Sequence, residues 1–202
     1  MSATDDLFRA VITPGTSASD IMRLIRQGAN VNAQTPEGIT PLIGAVNLLD
    51  GNAVQVLIEA GARVNARTAE GKTALMWAAT RNKDATVIGA LIRAGADVNA
   101  TDSYGTTALL CAASENPNPA IVRDLVRAGA NINHTNIFGN TPLMMAAGGN
   151  PNPGVVRLLI DLGANVFARN SDGVTALDCA DFGDYGSSHV REVKSFILRA
   201  MK

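Results

Sequence analysis

The chain is predicted to fold as an all-α solenoid of stacked helix-turn-helix repeats with protruding β-turn or hairpin loops. Three observations carry that prediction. A G-x-T-x-L pattern recurs at Gly38, Gly71, Gly105, Gly139 and Gly173, with Thr40, Thr73, Thr107, Thr141 and Thr175, then Leu42, Leu75, Leu109, Leu143 and Leu177. A second series, Gly28, Gly61, Gly95, Gly129 and Gly163, each followed by Ala, runs in step with the first, both advancing by 33 and then 34 residues. Between the markers, apolar residues fall at helical spacing. Two markers in register over five cycles define a repeat architecture, in which no repeat buries its apolar face alone.

Each repeat can be built in order. Residues 1–34 read as an N-terminal capping repeat that lacks the Thr-x-Leu turn. Full repeats follow at 35–67, 68–101, 102–135 and 136–169, opening near Thr35, Thr68, Asp102 and Asn136. A C-terminal capping repeat covers 170–202 and opens near Asn170, so that 1–202 reads as a single domain. Within a repeat, the motif Thr caps a first helix through its hydroxyl, and Pro41 and Pro142 take the first helical position, where no N–H is needed. The first helix carries Leu and then small residues, as in TALMWAA and TPLMMAA. Asn82, Asn116 and Asn150 are expected to end it, since Asn tolerates a left-handed cap. Ser17, Asp50, Asp84, Asn118 and Asn152 are placed to cap the second helix, with Pro119 and Pro153 directly after two of them. That helix shows apolar pairs such as Val155/Val156 with Leu159/Ile160 and ends at Gly-Ala.

With its G-x-T-[PA]-L-x-x-A core and its LIEAGARVNA, LIRAGADVNA and LVRAGANINH endings, the sequence resembles the ankyrin-repeat family over nearly its whole length. It departs from the family pattern at Ile43, Met76, Leu110, Met144 and Asp178, where a His is frequent. Three repeats carry an extra residue between helices, twice written NPNP, and the last carries a longer insert, DFGDYGSSH. Phe167 replaces the Asn found at Asn65, Asn99 and Asn133. The resemblance implies a concave groove lined by turn tips and first helices. It also implies that Asn65, Asn99 and Asn133, with Leu57, Leu91 and Leu125 eight residues earlier, are possible hydroxylation targets. Local backbone bonding by these asparagines is the favoured expectation.

Composition narrows the function further. The 202 residues are 47% hydrophobic with a net charge of −1, which excludes disorder and a broad nucleic-acid footprint. No run approaches the roughly 20 apolar residues of a membrane span. The start, MSATDDLFRAV, is acidic where a secretory signal is basic and then apolar, so a cytoplasmic location is expected. No enzyme constellation is present. His134 and His189 have no catalytic partner, and Cys111 and Cys179 occupy equivalent positions two repeats apart, about 20 Å by helix-packing distance. Asp172, Asp178, Asp181 and Asp184 lack the spacing of a calcium loop and read as a solvated cap. Phosphate-cradle motifs are lacking, and the column Glu59, Arg93, Arg127 and Asp161 reads as a solvated outer face. No cofactor or metal is expected.

A non-enzymatic protein-binding scaffold remains. The residue before each tip glycine gives the column Glu37, Glu70, Tyr104, Phe138 and Asp172, acidic at both ends and aromatic in the middle. Only eight residues in the chain are aromatic, so two at adjacent tips are unexpected for folding alone. The residue two after the motif Leu gives Gly44, Trp77, Cys111, Met145 and Cys179. Trp77, Tyr104, Ile137, Phe138 and Met145 are the expected apolar anchors, with Glu37, Glu70 and Arg81 around them. An apolar centre in a charged rim is the pattern of a binding hot spot, here for a protein or peptide with an apolar anchor and a basic rim. The alternative is a small ligand, nucleotide or single strand stacked on the same aromatics, for which the nearby cations, Lys72 and Arg81, are few.

Overall fold

A computed structural model of the chain describes residues 2–46, 51–182 and 186–202. Among the described residues the fold is all-α, with twelve helices and no strand. They are α1 (Ala3–Val11), α2 (Ala18–Arg26), α3 (Pro41–Ala45), α4 (Gly51–Glu59), α5 (Ala74–Arg81), α6 (Ala85–Arg93), α7 (Ala108–Glu115), α8 (Pro119–Arg127), α9 (Pro142–Gly149), α10 (Pro153–Asp161), α11 (Ala176–Cys179) and α12 (Ser187–Ala200). The chain divides into two compact units, Met1–Ala78 with Asp84–Asp97, and Ala79–Lys83 with Val98–Lys202. In the first, α1 packs on α2 and α3, and α4 packs on α2, α3 and α6. In the second, first helices pack in series (α7, α9, α11), as do second helices (α8, α10, α12), and α9 also packs on α10.

The caps form where the residue types place them. Thr40, Thr107, Thr141 and Thr175 accept the N–H three residues on, and Pro41 and Pro142 begin their helices. Thr73 does the same for Met76. Ser17, Asp84, Asn118 and Asn152 cap the second helices, with Pro119 and Pro153 in the first position. Asp50 lies outside the described residues, as does Asp184. The second helices α2, α4, α6, α8 and α10 each end on a left-handed glycine. Gly61 and Gly95 have φ of 86° and 85°, and the N–H groups of Ala62 and Ala96 return to the carbonyls of Leu57 and Leu91, closing a Schellman turn. Val155, Val156 and Leu159 are fully buried, while Glu59, Arg93, Arg127 and Asp161 are exposed.

Ser2/Asp5, Ser17/Asp20 and Thr175/Asp178 are capping boxes. Hydrogen bonds from the partner hydroxyl and backbone N–H hold all three carboxyls below their usual range. A depressed folded pKa stabilises the fold above the unfolded value near 4, and that contribution is lost as pH falls through the folded value. The thermal midpoint should therefore hold between pH 7 and about 5 and drop below about 4. In a circular-dichroism melt, Asp20→Asn should lose part of that acid-dependent drop.

Two expectations about asparagine are corrected. Asn116 and Asn150 do end α7 and α9, but with extended backbone, ψ 119° and 129°, and among the described residues only glycines have positive φ. Their amides explain the position instead. Asn116 is fully buried, and its Nδ2 donates to the carbonyls of Ala79 (3.0 Å) and Asn82 (2.9 Å). Asn150 Nδ2 donates to Ala113 (2.9 Å) and Asn116 (3.0 Å), so each amide satisfies the orphan carbonyls at the end of the preceding first helix. Each Oδ1 accepts the N–H two residues on, at Asn118 and Asn152. The second Asn of each NPNP also reaches back, from Asn118 to the Lys83 carbonyl and from Asn152 to that of Pro117.

The Asn65 and Asn99 side-chain amides bond the next repeat. Asn65 donates to the Gly95 carbonyl and accepts from Asp97 N–H, and Asn99 does the same with Gly129 and Asn131. Asn133 accepts from Asn165 N–H. The local backbone offers them nothing that the next helix end, with its unsatisfied carbonyl, does not offer more strongly. At the equivalent place, Phe167 brings no amide, and its ring is exposed.

Candidate functional site

The hairpin tips are rigid turns. Each opens on a residue whose backbone N–H bonds the carbonyl four residues on: Thr35 to Ile39, Thr68 to Lys72, Asp102 to Thr106, Asn136 to Asn140 and Asn170 to Val174. The opening side chain locks the turn from inside. Asp102 Oδ1 accepts from Tyr104 and Thr106 N–H, and Asn136 Oδ1 from Phe138 and Asn140 N–H. Adjacent tips are then tied together. Ala69 N–H donates to the Glu37 carbonyl (2.8 Å), Ile137 to Tyr104 (3.0 Å) and Ser171 to Phe138 (3.0 Å). This close approach requires glycine at the tip. A Cβ on Gly139, at φ 76°, would stand 2.8 Å from Ser171 N. Pro36 occupies the place of Ala69, Ile137 and Ser171, where a proline has no N–H to donate.

The predicted site residues fall in both compact units. In the first, Glu37 and Glu70 are exposed at their tips, and Trp77 is half-buried on α5. A hydrogen bond with Thr35 holds the Glu37 carboxyl below its usual range. Lys72 Nζ lies 3.1 Å from Glu70 Oε2 and 5.4 Å from the centroid of the Trp77 ring. The indole Nε1 is buried and has no acceptor among the described residues.

In the second unit, Tyr104, Ile137 and Phe138 are 53%, 61% and 55% exposed. Their backbones are tied into the bonded turns, and each residue is more than half exposed. Met145 is half-buried and helps line a cavity of about 280 Å³ with Ser114, Asn140, Gly148, Cys179 and Phe182. Arg81 is exposed at the end of α5, with Nε 4.0 Å from Glu115 Oε2. Sequence reading missed Phe182, which is 76% exposed. Its signal was one of two aromatics, with Tyr185, in an otherwise polar insert.

The residues without an assigned chemistry have structural work. His134 Nε2 lies 2.9 Å from the Gly105 carbonyl, bracing a tip. Cys111 and Cys179 are in no disulfide, both half-buried, and burial, with the nearby Asp178 carboxylate, pushes the Cys179 thiol up. Asp178 caps α11, and Asp181 pairs with Lys194. Among the described residues no group of His, Cys, Asp or Glu is arranged to hold a metal, and no helix is long and apolar enough to cross a membrane.

A family model described as ankyrin repeats (3 copies) matches residues 7–102, 45–136, 79–169 and 109–187, which together run without a gap from 7 to 187. The chain belongs to the ankyrin-repeat family. Ankyrin repeats generally mediate protein–protein interaction and are typically non-enzymatic. A comparison with curated proteins found no match.

Proposed function

We propose that this ankyrin-repeat chain is a non-enzymatic scaffold of the cytoplasm, acting as one domain over 1–202. It takes a partner protein or peptide on the face made by its hairpin tips and first helices. The partner carries an apolar anchor and a basic rim. The observation that supports this reading most is the exposure of Tyr104, Ile137 and Phe138 on tips whose backbones are already bonded to one another. Large rigid aromatics at a surface are the residues that dominate binding energy when a partner covers them. Met145 adds apolar area in the same compact unit. Arg81 lies in that unit too, and Glu37, Glu70 and Trp77 lie in the other.

The test is capture by crosslinking from the native host's lysate, followed by an affinity measurement with the identified partner. Tyr104→Ala with Phe138→Ala should weaken that partner by about 2 kcal/mol, roughly thirtyfold. Circular dichroism should show the variant as stable as the parent. Undiminished affinity in a folded variant would rule out these tips as the anchor.

A further inference from the structure

We propose that the Trp77 ring and the Glu70 carboxylate form a receptor for an arginine side chain of the partner, a place that the chain's own Lys72 holds in this structure. The inference rests on the reading that tips and first helices bind a partner, and it gives that partner's chemistry. All of its residues belong to one compact unit.

An aromatic face and a carboxylate together are what a desolvating cation needs, and Lys72 already uses both, at 5.4 Å from the ring centroid and 3.1 Å from Glu70. The indole is an expensive choice for packing alone. Its buried N–H has no acceptor among the described residues, a state that destabilises the fold. Met145 holds the equivalent place in α9 with no donor to satisfy. What tryptophan adds is the best cation-binding face among side chains.

A second carboxylate stands close by. The Ala69 N–H bonds the Glu37 carbonyl, so the Glu37 and Glu70 tips are neighbours, and both side chains are exposed. The Lys72 ion pair is with an exposed carboxylate, which solvent screens. A guanidinium stacks flat on an indole and meets a carboxylate with two parallel bonds, which an ammonium cannot do. An incoming arginine therefore gains more than lysine does.

Trp77 is the only tryptophan in the chain, so its emission reports the site directly. The probe is an acetylated tetra-arginine amide titrated into the full chain, with tetra-lysine as comparison. Expected results are a saturable change in emission, tighter binding of tetra-arginine than of tetra-lysine, and about threefold tighter binding by Lys72→Ala. Glu70→Gln should weaken it. Arg63→Ala, which removes an equal charge elsewhere, should leave it unchanged. Binding by Lys72→Ala no tighter than the parent, tightening matched by Arg63→Ala, or a silent Trp77 would overturn the proposal. Circular-dichroism melts keep the comparison to folded variants, with Lys72→Met replacing Lys72→Ala if the latter loses stability. Should Tyr104 and Phe138 prove dispensable for partner capture while Lys72→Ala still tightens tetra-arginine, the tip anchor falls and the receptor stands. The reverse pattern would remove the receptor alone.

Discussion

Asn150→Asp is expected to destabilise the fold by on the order of 3–5 kcal/mol at neutral pH, more than Asn150→Ala. The substitution changes one NH₂ to an oxygen in a fully buried side chain. One carboxylate oxygen keeps the bond from Asn152 N–H. The other is left facing the carbonyls of Ala113 and Asn116, which the amide had been donating to from 2.9 and 3.0 Å. A buried anion against two carbonyl dipoles has no compensating charge. Asn150→Ala loses the same bonds without adding charge, and each unsatisfied group costs about 1–3 kcal/mol. The two variants differ in their response to pH. In the Asp variant burial raises the folded pKa above the unfolded value, so the protein should regain stability as pH falls from 7 toward 5. The Ala variant should show no such recovery. Urea unfolding followed by circular dichroism at both pH values measures this, and an Asp variant as stable as the parent at pH 7 would refute the role given to the ladder.

That asparagine also separates what was legible in the sequence from what was not. Helix ends were legible, because cap residues, prolines and left-handed glycines act within four residues of themselves, and local physics places them. Asn116 and Asn150 were rightly placed at helix ends, but the partners of their amide NH₂ groups lie 34 to 38 residues away. Nothing local distinguishes an Asn that turns the chain from one that bonds the previous repeat. The same limit hid the Asn65 and Asn99 bridges. Exposure at the tips was legible because register fixes it. The column from Glu37 to Asp172 is exposed throughout, and that from Gly44 to Cys179 is half-buried throughout. Phe182 was not legible as a neighbour of Met145 because its insert has no counterpart in the other repeats. Nor was Lys72 over Trp77, since which cation crosses a ring depends on side-chain torsions that spacing does not determine.

Leu109→Ala should cost about 2–5 kcal/mol, whereas Tyr104→Ala, five residues earlier in the same repeat, should stay within about 0.5 kcal/mol of the parent. Leu109 is fully buried in α7, which packs against α8 within its repeat and against α9 in the next. Truncation removes three carbons and leaves a cavity that neighbouring helices, held by their own caps, can close only in part. Because stacked repeats are stabilised by nearest-neighbour interfaces, the loss weakens the following repeat as well as its own. Tyr104 contributes to the fold through backbone, by accepting from Ile137 N–H and donating to Asp102, and both bonds survive truncation to Ala. The contrast is what the functional reading needs. A residue more than half exposed that binds a partner must be removable without unfolding the chain, and a residue at the repeat interface must not be. Equilibrium unfolding of the two variants in urea decides between them. A Tyr104→Ala variant destabilised by more than about 1 kcal/mol would make that ring part of the packing and withdraw the chief support for a binding tip.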